Sequence, residues 1–201
     1  MNMVDTIIVL AIFFYVQSRY LPDMNQRSLS HNVLVQCNTL TLFALTCPWI
    51  PDHWDFQPWH LVVLPLWGDV WLYFSHRLLH TRFLFQHIHY VHHQFIHPQP
   101  IDTFYAHPLE NIFQNWCIIG IPLLFTPLYV SKLTLLILCP LFLQNTLQAH
   151  NTIHDKQGFH ILHHLFHYRN YGAGLHLMDH LFGTAMQASD LPPHSSLWIH
   201  E

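Results

Sequence analysis

The sequence predicts an all-α, integral membrane protein of about four to five membrane helices, capped on the cytoplasmic side by a histidine-rich, di-metal helical region. Three observations predict it: the scarcity of charge, the length of the uncharged runs and the placement of the histidines. Of 201 residues, 51% are apolar and only 9% are charged, against about 25% charged in soluble domains. An ordinary water-facing surface cannot be covered with what is left. The length suits a single domain over residues 1–201. A balance of 7 Lys+Arg against 11 Asp+Glu gives a net charge of -4, so there is no basic surface to hold a phosphate backbone and nucleic acid is not an expected partner. Cys37, Cys47, Cys117 and Cys139 lie far apart in apolar stretches with no CxxC spacing. They read as small buried hydrophobes rather than as a disulfide framework or a thiolate zinc site.

The uncharged runs give the helices in chain order. Thr6 to Ser18 is short, but Asp5 precedes it and Arg19 and Tyr20 follow. It lacks the basic start and small-residue cleavage site of a secretory signal, and it reads as a membrane helix. Ser28 to Pro51 gives the second helix, and the run from Phe56 to Gly68 opens a third that ends near Ser75. Asn111 to Ser131 carries ten Ile, Leu, Phe or Val residues, worth about -3 to -6 kcal/mol on the insertion scale. Leu133 to Ala149 is 17 residues long, about 26 Å of helix against about 30 Å of hydrocarbon. These last two form a hairpin with Lys132 at its tip, kinked by Pro122, Pro127 and Pro140. Threaded with the N-terminus outside, six of the seven basic residues, all but Lys132, fall on the cytoplasmic side, as the positive-inside rule requires. The dense histidine sequence falls there too.

The 21 histidines are the third observation. Sixteen lie in the windows His76 to His107 and His150 to His180, 63 residues in which uniform scatter would put six or seven. Their order matters more than their number: HRLLH (His76, His80), HYVHH (His89, His92, His93), HNTIH (His150, His154) and HILHH (His160, His163, His164). Residues three and four apart share a helix face, so each box is expected to direct its imidazoles to one point. A single histidine is usually satisfied by one hydrogen bond. Ten converging ones without a cation would leave many buried ring nitrogens unpaired, at about 1 to 3 kcal/mol each.

Ten imidazoles exceed one zinc site, which takes three or four ligands, and suit two metals with five each. Five nitrogens leave a sixth position open. Such a redox-capable, incompletely filled site fits iron meeting dioxygen better than magnesium or calcium, which prefer oxygen ligands. No HExxH zincin motif occurs, and the boxes contain none of the carboxylates of soluble di-iron bundles. Asp69, Glu110, Asp155 and Asp179 are placed to accept hydrogen bonds from ligating imidazoles, Glu110 and Asp179 above all.

The order of the four boxes, with HPLE (His107 to Glu110) after the second and NYG (Asn170 to Gly172) and MDHLFGT (Met178 to Thr184) after the last, resembles the fatty acid hydroxylase superfamily, also called the sterol desaturase family. The resemblance covers Trp67 to Thr184. It implies a membrane-embedded non-haem enzyme with two iron ions that hydroxylates or desaturates a lipid such as a sterol or fatty acyl chain. Dioxygen is then the oxidant, and electrons come from an external donor of the cytochrome b5 or ferredoxin type, since no GxGxxG turn occurs among only six glycines. The location implied is the endoplasmic reticulum in a eukaryote or the inner membrane in a bacterium. Only five residues separate His154 from His160, shorter than the family's interval, so His107, His167 or His176 stand as substitutes for a box member. The reading from another class is a non-catalytic histidine-rich membrane protein that binds metal or haem. Haem between histidines needs pairs near mid-depth on facing helices, and these boxes lie outside the apolar runs.

Overall fold

The computed structural model describes residues 26–125, 130–150 and 159–191, together with 7, 11, 12, 14, 15 and 18. Regular structure among them is entirely helical, with no strand. Helix α1 (Leu29–Thr46) starts where the Ser28 hydroxyl accepts the His31 N–H at 3.2 Å. It tightens into a 3₁₀ turn at Cys47–Trp49, with Pro48 inside the turn. Helix α2 (His60–Leu79) runs through Pro65 and ends on His80, and a short α3 (Arg82–His87) follows. Two 3₁₀ segments, His89–Gln94 and Pro100–Phe104, lead to a turn at Pro108–Glu110. The chain then widens into a π-helical stretch, Asn111–Trp116, before α4 (Cys117–Phe125). Helix α5 (Lys132–Ala149) is capped by Ser131, whose hydroxyl accepts the Thr134 N–H at 3.2 Å. The short helices α6 (Phe159–Phe166) and α7 (Leu177–Leu181) complete the set.

The apolar runs at 28–51 and 133–149 become α1 and α5 nearly end to end. The run at 111–131 is divided between the π stretch and α4, with 126–129 outside the described residues, as is most of 6–18. Among the described residues no helix is long and apolar enough to cross a membrane, so the expected set of four to five membrane helices is not found there. Helix α4 has only 9 residues, and the longer helices are interrupted by polar residues: His31, Asn32, Gln36 and Asn38 in α1, Asp69, Ser75, His76 and Arg77 in α2, and Gln144, Asn145 and Gln148 in α5.

Helix α2 is the central element, packed against α4, α5, α7 and the π stretch. Val35, Ile101, Phe104 and Leu147 form a buried apolar core under the 3₁₀ segments. Asn38, Asn111 and Asp102 beside it are paired, as burial demands. Asn38 donates through Nδ2 to the carbonyls of Phe104 at 2.9 Å and Ala106 at 2.8 Å, and Asn111 donates to the Asn38 carbonyl at 3.0 Å. Asp102, 1% exposed, accepts from Arg27 Nε and Nη2, from the Gln99 N–H and from His31 Nε2 at 2.8 Å. Burial alone would raise the Asp102 carboxyl, but the Arg27 and His31 bonds outweigh it and hold it down at about 2. These bonds pin residues 99–106, which lie directly beside the histidines.

Candidate metal centre

Helices α2 and α5 carry histidine at the same end. His76 lies in the last turn of α2 and His80 caps it, while His150 caps α5. The 3₁₀ segment His89–Gln94 and helix α6 bring the remaining boxes to that end. Two groups result, each with ligand atoms all within 4.8 Å of one another: His76, His80, His89, His93 and His163, and His92, His150, His160 and His164. Eight of the nine are buried, and His80 is half-buried. Nine of the ten sequence-predicted ligands are thus brought together, and His154 lies outside the described residues.

The expectation that each box serves one point is corrected for two boxes. HYVHH sends His89 and His93 to the first group and His92 to the second, and HILHH sends His163 to the first and His160 and His164 to the second. Consecutive side chains on a helix point about 100° apart on an α-helix and about 120° apart on a 3₁₀-helix. A histidine doublet therefore straddles two sites. Of the named substitutes, none joins a group. His107 caps the Pro108–Glu110 turn by accepting the Leu109 N–H, His167 meets His93 edge-on with ring centroids 4.6 Å apart, and His176 packs on Phe159.

The tautomers are set by the outer nitrogens. Nδ1–H of His76 donates to the Tyr171 carbonyl at 2.7 Å, of His163 to Arg169 at 2.6 Å, of His164 to Phe95 at 3.0 Å, of His92 to Tyr105 at 3.2 Å and of His150 to Thr146 at 2.9 Å. His89 Nδ1 faces Glu110 Oε1 at 2.9 Å. With Nδ1 protonated, each Nε2 presents a lone pair to the centre. At the His92–His150 contact, 3.4 Å, neither Nε2 carries a hydrogen, so only a cation relieves two facing lone pairs. Spacing agrees. Adjacent nitrogens about 2.1 Å from a metal stand about 3.0 Å apart on an octahedron and about 3.4 Å apart on a tetrahedron. The first group shows Nε2 spacings of 3.0 Å for His76–His89, His80–His89 and His80–His163, and 3.1 Å for His89–His93 and His93–His163. The second is looser, at 3.1 Å for His150–His160 and 3.2 Å for His160–His164. The donor set fits a nitrogen-preferring transition metal in each group.

Burial holds the imidazoles in the neutral form that a metal requires. It pushes His80 down to about 2 and His92 to about 3, and neighbouring imidazoles add to the effect. Burial also lowers His89 and raises Glu110, so the two share a neutral hydrogen bond until a cation among the rings favours the carboxylate. Asp179 touches no grouped imidazole. It accepts the N–H of Tyr171 at 2.9 Å and of Gly172 at 2.7 Å and the Thr184 hydroxyl at 2.8 Å, thereby fixing the segment whose Tyr171 carbonyl holds His76. Burial would raise its carboxyl, but these bonds and His176 outweigh it and keep it low. A Cβ on Gly172 would stand 2.8 Å from Asp179 Oδ2, so glycine is required there. Asn170, at φ 55°, supplies the left-handed turn before it and donates to the Phe159 and Met186 carbonyls. Asp69 accepts the Met178 N–H at 3.0 Å and also touches no grouped imidazole. Asp155 lies outside the described residues.

The carbonyls of Phe95, Tyr105, Thr146, Arg169 and Tyr171 are functional groups that no residue type announces. The Arg27–Asp102–His31 cluster behind Tyr105 had a signal, a buried acid on a short loop with an arginine available, but its sequence distance of 75 residues hid the pairing.

Residues 61–184 match the fatty acid hydroxylase family. Methylsterol monooxygenase 1 of Gallus gallus is 32% identical over 157 residues, 69% of this chain and 52% of that protein. The Danio rerio protein of the same name is 33% identical over 158 residues, 69% and 53%. A very-long-chain aldehyde decarbonylase of Oryza sativa subsp. indica is 31% identical over 147 residues, 66% and 54%. The chain spans about half the length of the curated relatives it matches. No solved structure matches it.

Proposed function

The chain belongs to the fatty acid hydroxylase family, and from that membership we propose that it is a membrane di-iron oxygenase that hydroxylates or desaturates a lipid. The observation that carries the reading is the convergence of nine imidazoles in two groups, six of them with the outer nitrogen fixed to a carbonyl or to Glu110. His76, His80, His89, His93 and His163 hold one iron. His92, His150, His160 and His164 hold the other, and His154 is proposed as the fifth ligand from its place in HNTIH. When bound, the irons would supply dioxygen activation, in which one oxygen atom enters a C–H bond and the other leaves as water, with two electrons delivered singly by an external donor of the cytochrome b5 or ferredoxin type and two protons taken from solvent.

The chain's own residues provide the setting. The carbonyls of Tyr171, Arg169, Phe95, Tyr105 and Thr146 orient five of the rings, and burial excludes water and stray protons. Glu110 adds negative charge behind His89, which raises the basicity of that ring. Membrane embedding is part of the proposal. It is supported by the exposed Leu61, Val62, Val63 and Leu66 on α2 and by exposed Trp49, Trp54 and Trp59 at the end away from the histidines, a pattern suited to lipid and to its interface. The membrane is that of the endoplasmic reticulum or a bacterial inner membrane, with the histidines cytoplasmic.

Purified chain should carry two irons without a haem Soret band and should oxidise a cellular lipid only with dioxygen and a reductant. A Soret band, or an unchanged lipid profile in cells with and without the protein, refutes the reading. Cysteine labels at Asp52 and Arg82, on either side of α2, should report opposite faces of the membrane, and labelling from one face overturns the embedding.

A further inference from the structure

We infer that His167 is a transit ligand for the metal, an exposed imidazole that takes a ferrous ion from water, hands it past His80 and His93 into the first histidine group, and does not hold it afterwards. This rests on the reading above, that the two groups hold iron. Imidazoles buried as these are cannot be filled without a route from solvent, and such a route is part of what a metal site must show. The second group is buried throughout, and in the first only His80 is half-buried. His167 is exposed and stands at that opening. Its ring centroid lies 4.6 Å from that of His93 and 6.2 Å from that of His80. Among the described residues no other ungrouped histidine has its ring against a grouped one. His87 stacks on Phe83, and His176 and His180 meet Phe159.

The local backbone puts the ring there. His167 follows α6 directly, and its N–H donates to the carbonyl of His163, a member of the first group, at 2.7 Å. Its φ of 58° is left-handed, so the chain leaves the helix as soon as the last box is complete. That conformation is uncommon for a residue with a side chain, and such outliers collect where a function holds them. Phe85 closes the other side of the opening, with its ring centroid 5.3 Å from His80, 5.5 Å from His93 and 5.4 Å from His167. A ferrous ion arrives hydrated, and stripping its water before new ligands are in place is costly under an apolar cover. At the rim His167 replaces one water while the others stay, and His80 and His93 replace the next. It is not kept as a ligand, since it belongs to neither set of nitrogens that lie within 4.8 Å of one another. By microscopic reversibility the same ring eases the ion out, so it sets rates in both directions and leaves the equilibrium alone.

The test follows release of iron from the reduced, iron-loaded full chain in detergent micelles to bathophenanthroline disulfonate, a chelator too bulky and too charged to reach the buried groups. Asparagine and glycine both accept a left-handed backbone, so His167→Asn and His167→Gly keep the fold. Each should retain its full iron and the wild-type spectrum but release the metal at least about tenfold more slowly. Glycine leaves a ring-sized gap, and free imidazole in the buffer should restore the rate of His167→Gly without changing that of the wild type. Release at the wild-type rate in both variants overturns the inference. Faster release makes His167 only a cover, and loss of iron or a shifted spectrum makes it a resident ligand; either result overturns the inference as well. Slow, imidazole-rescued release from a chain that oxidises no lipid supports the route and refutes the oxygenase reading. Unchanged release from variants of a chain that does oxidise a lipid does the reverse.

Discussion

The two histidine groups are built from the same residue type at the same end of the fold, yet they are held differently. The first has five imidazoles, Nε2 spacings of 3.0–3.1 Å and a carboxylate, Glu110, on one ring. The second has four described imidazoles, spacings of 3.1–3.4 Å, and backbone carbonyls on the outer nitrogens of His92, His150 and His164, with none on His160. A carboxylate donates more electron density through an imidazole than a carbonyl does. The first site is therefore the tighter and more electron-rich of the two, and the pair is chemically asymmetric even though the ligands are uniform.

The largest test of this comparison uses sequence neighbours. His163→Ala and His164→Ala differ by one position but strike different groups, so each should remove a different one of the two irons. Both should lower activity by more than the about 100-fold limit typical of partner loss. Metal analysis with Mössbauer or absorption spectra that show the same residual site in both variants would break the two-site assignment. Next in size is Glu110→Gln, expected to cost about 10- to 100-fold in activity with iron largely retained and with spectral change confined to the first site. Complete iron loss would make Glu110 a ligand. Asp179→Asn acts one link further out, through Tyr171, and should sit at the lower end of that range.

Two stability tests separate the scaffolds behind the groups. Gly172→Ala places a Cβ against Asp179 behind the first group and should cost about 1–3 kcal/mol, read as a lower Tm. Asp102 lies behind the second group, and its carboxyl is lowered from 3.8 to about 2. Its contribution is complete above the unfolded value and is lost as pH falls through about 2. The stability gap between wild type and Asp102→Asn should therefore shrink by about 2 kcal/mol from pH ~5 to pH ~2. A gap that stays constant over that interval would detach the Arg27–Asp102–His31 cluster from stability.

Much of the ligand set was legible because imidazole has few other reasons to recur at three- and four-residue spacing. HRLLH at the end of α2 and His150 at the end of α5 could be placed from apolar runs that stop where the boxes begin. The division of HYVHH and HILHH between two groups was not legible as a shared face. It follows from the angle between consecutive side chains, which the count of histidines does not carry. Partners such as the Tyr171 and Phe95 carbonyls were hidden because every residue has one, and only the folded backbone selects which are used. Glu110 could be found from its acid side chain beside a box. Asp179 was placed one contact too close, because sequence proximity does not distinguish an imidazole partner from the support of a neighbouring segment.

The two doublets, His92–His93 and His163–His164, have a consequence for how the protein would be filled. Each joins the two groups through a single peptide unit, so an ion that settles in one group freezes backbone torsions that the other must also adopt. The entropy of ordering is then largely spent by the first arrival, and the second enters a framework already immobilised. Loading would be cooperative: a titration with limiting ferrous ion would yield chains holding none or two, with few holding one, and its binding curve would be sigmoidal. The spacing between the ions would likewise be dictated by the repeat of the polypeptide itself, as a gauge block dictates a gap, with no bridging side chain needed to set it.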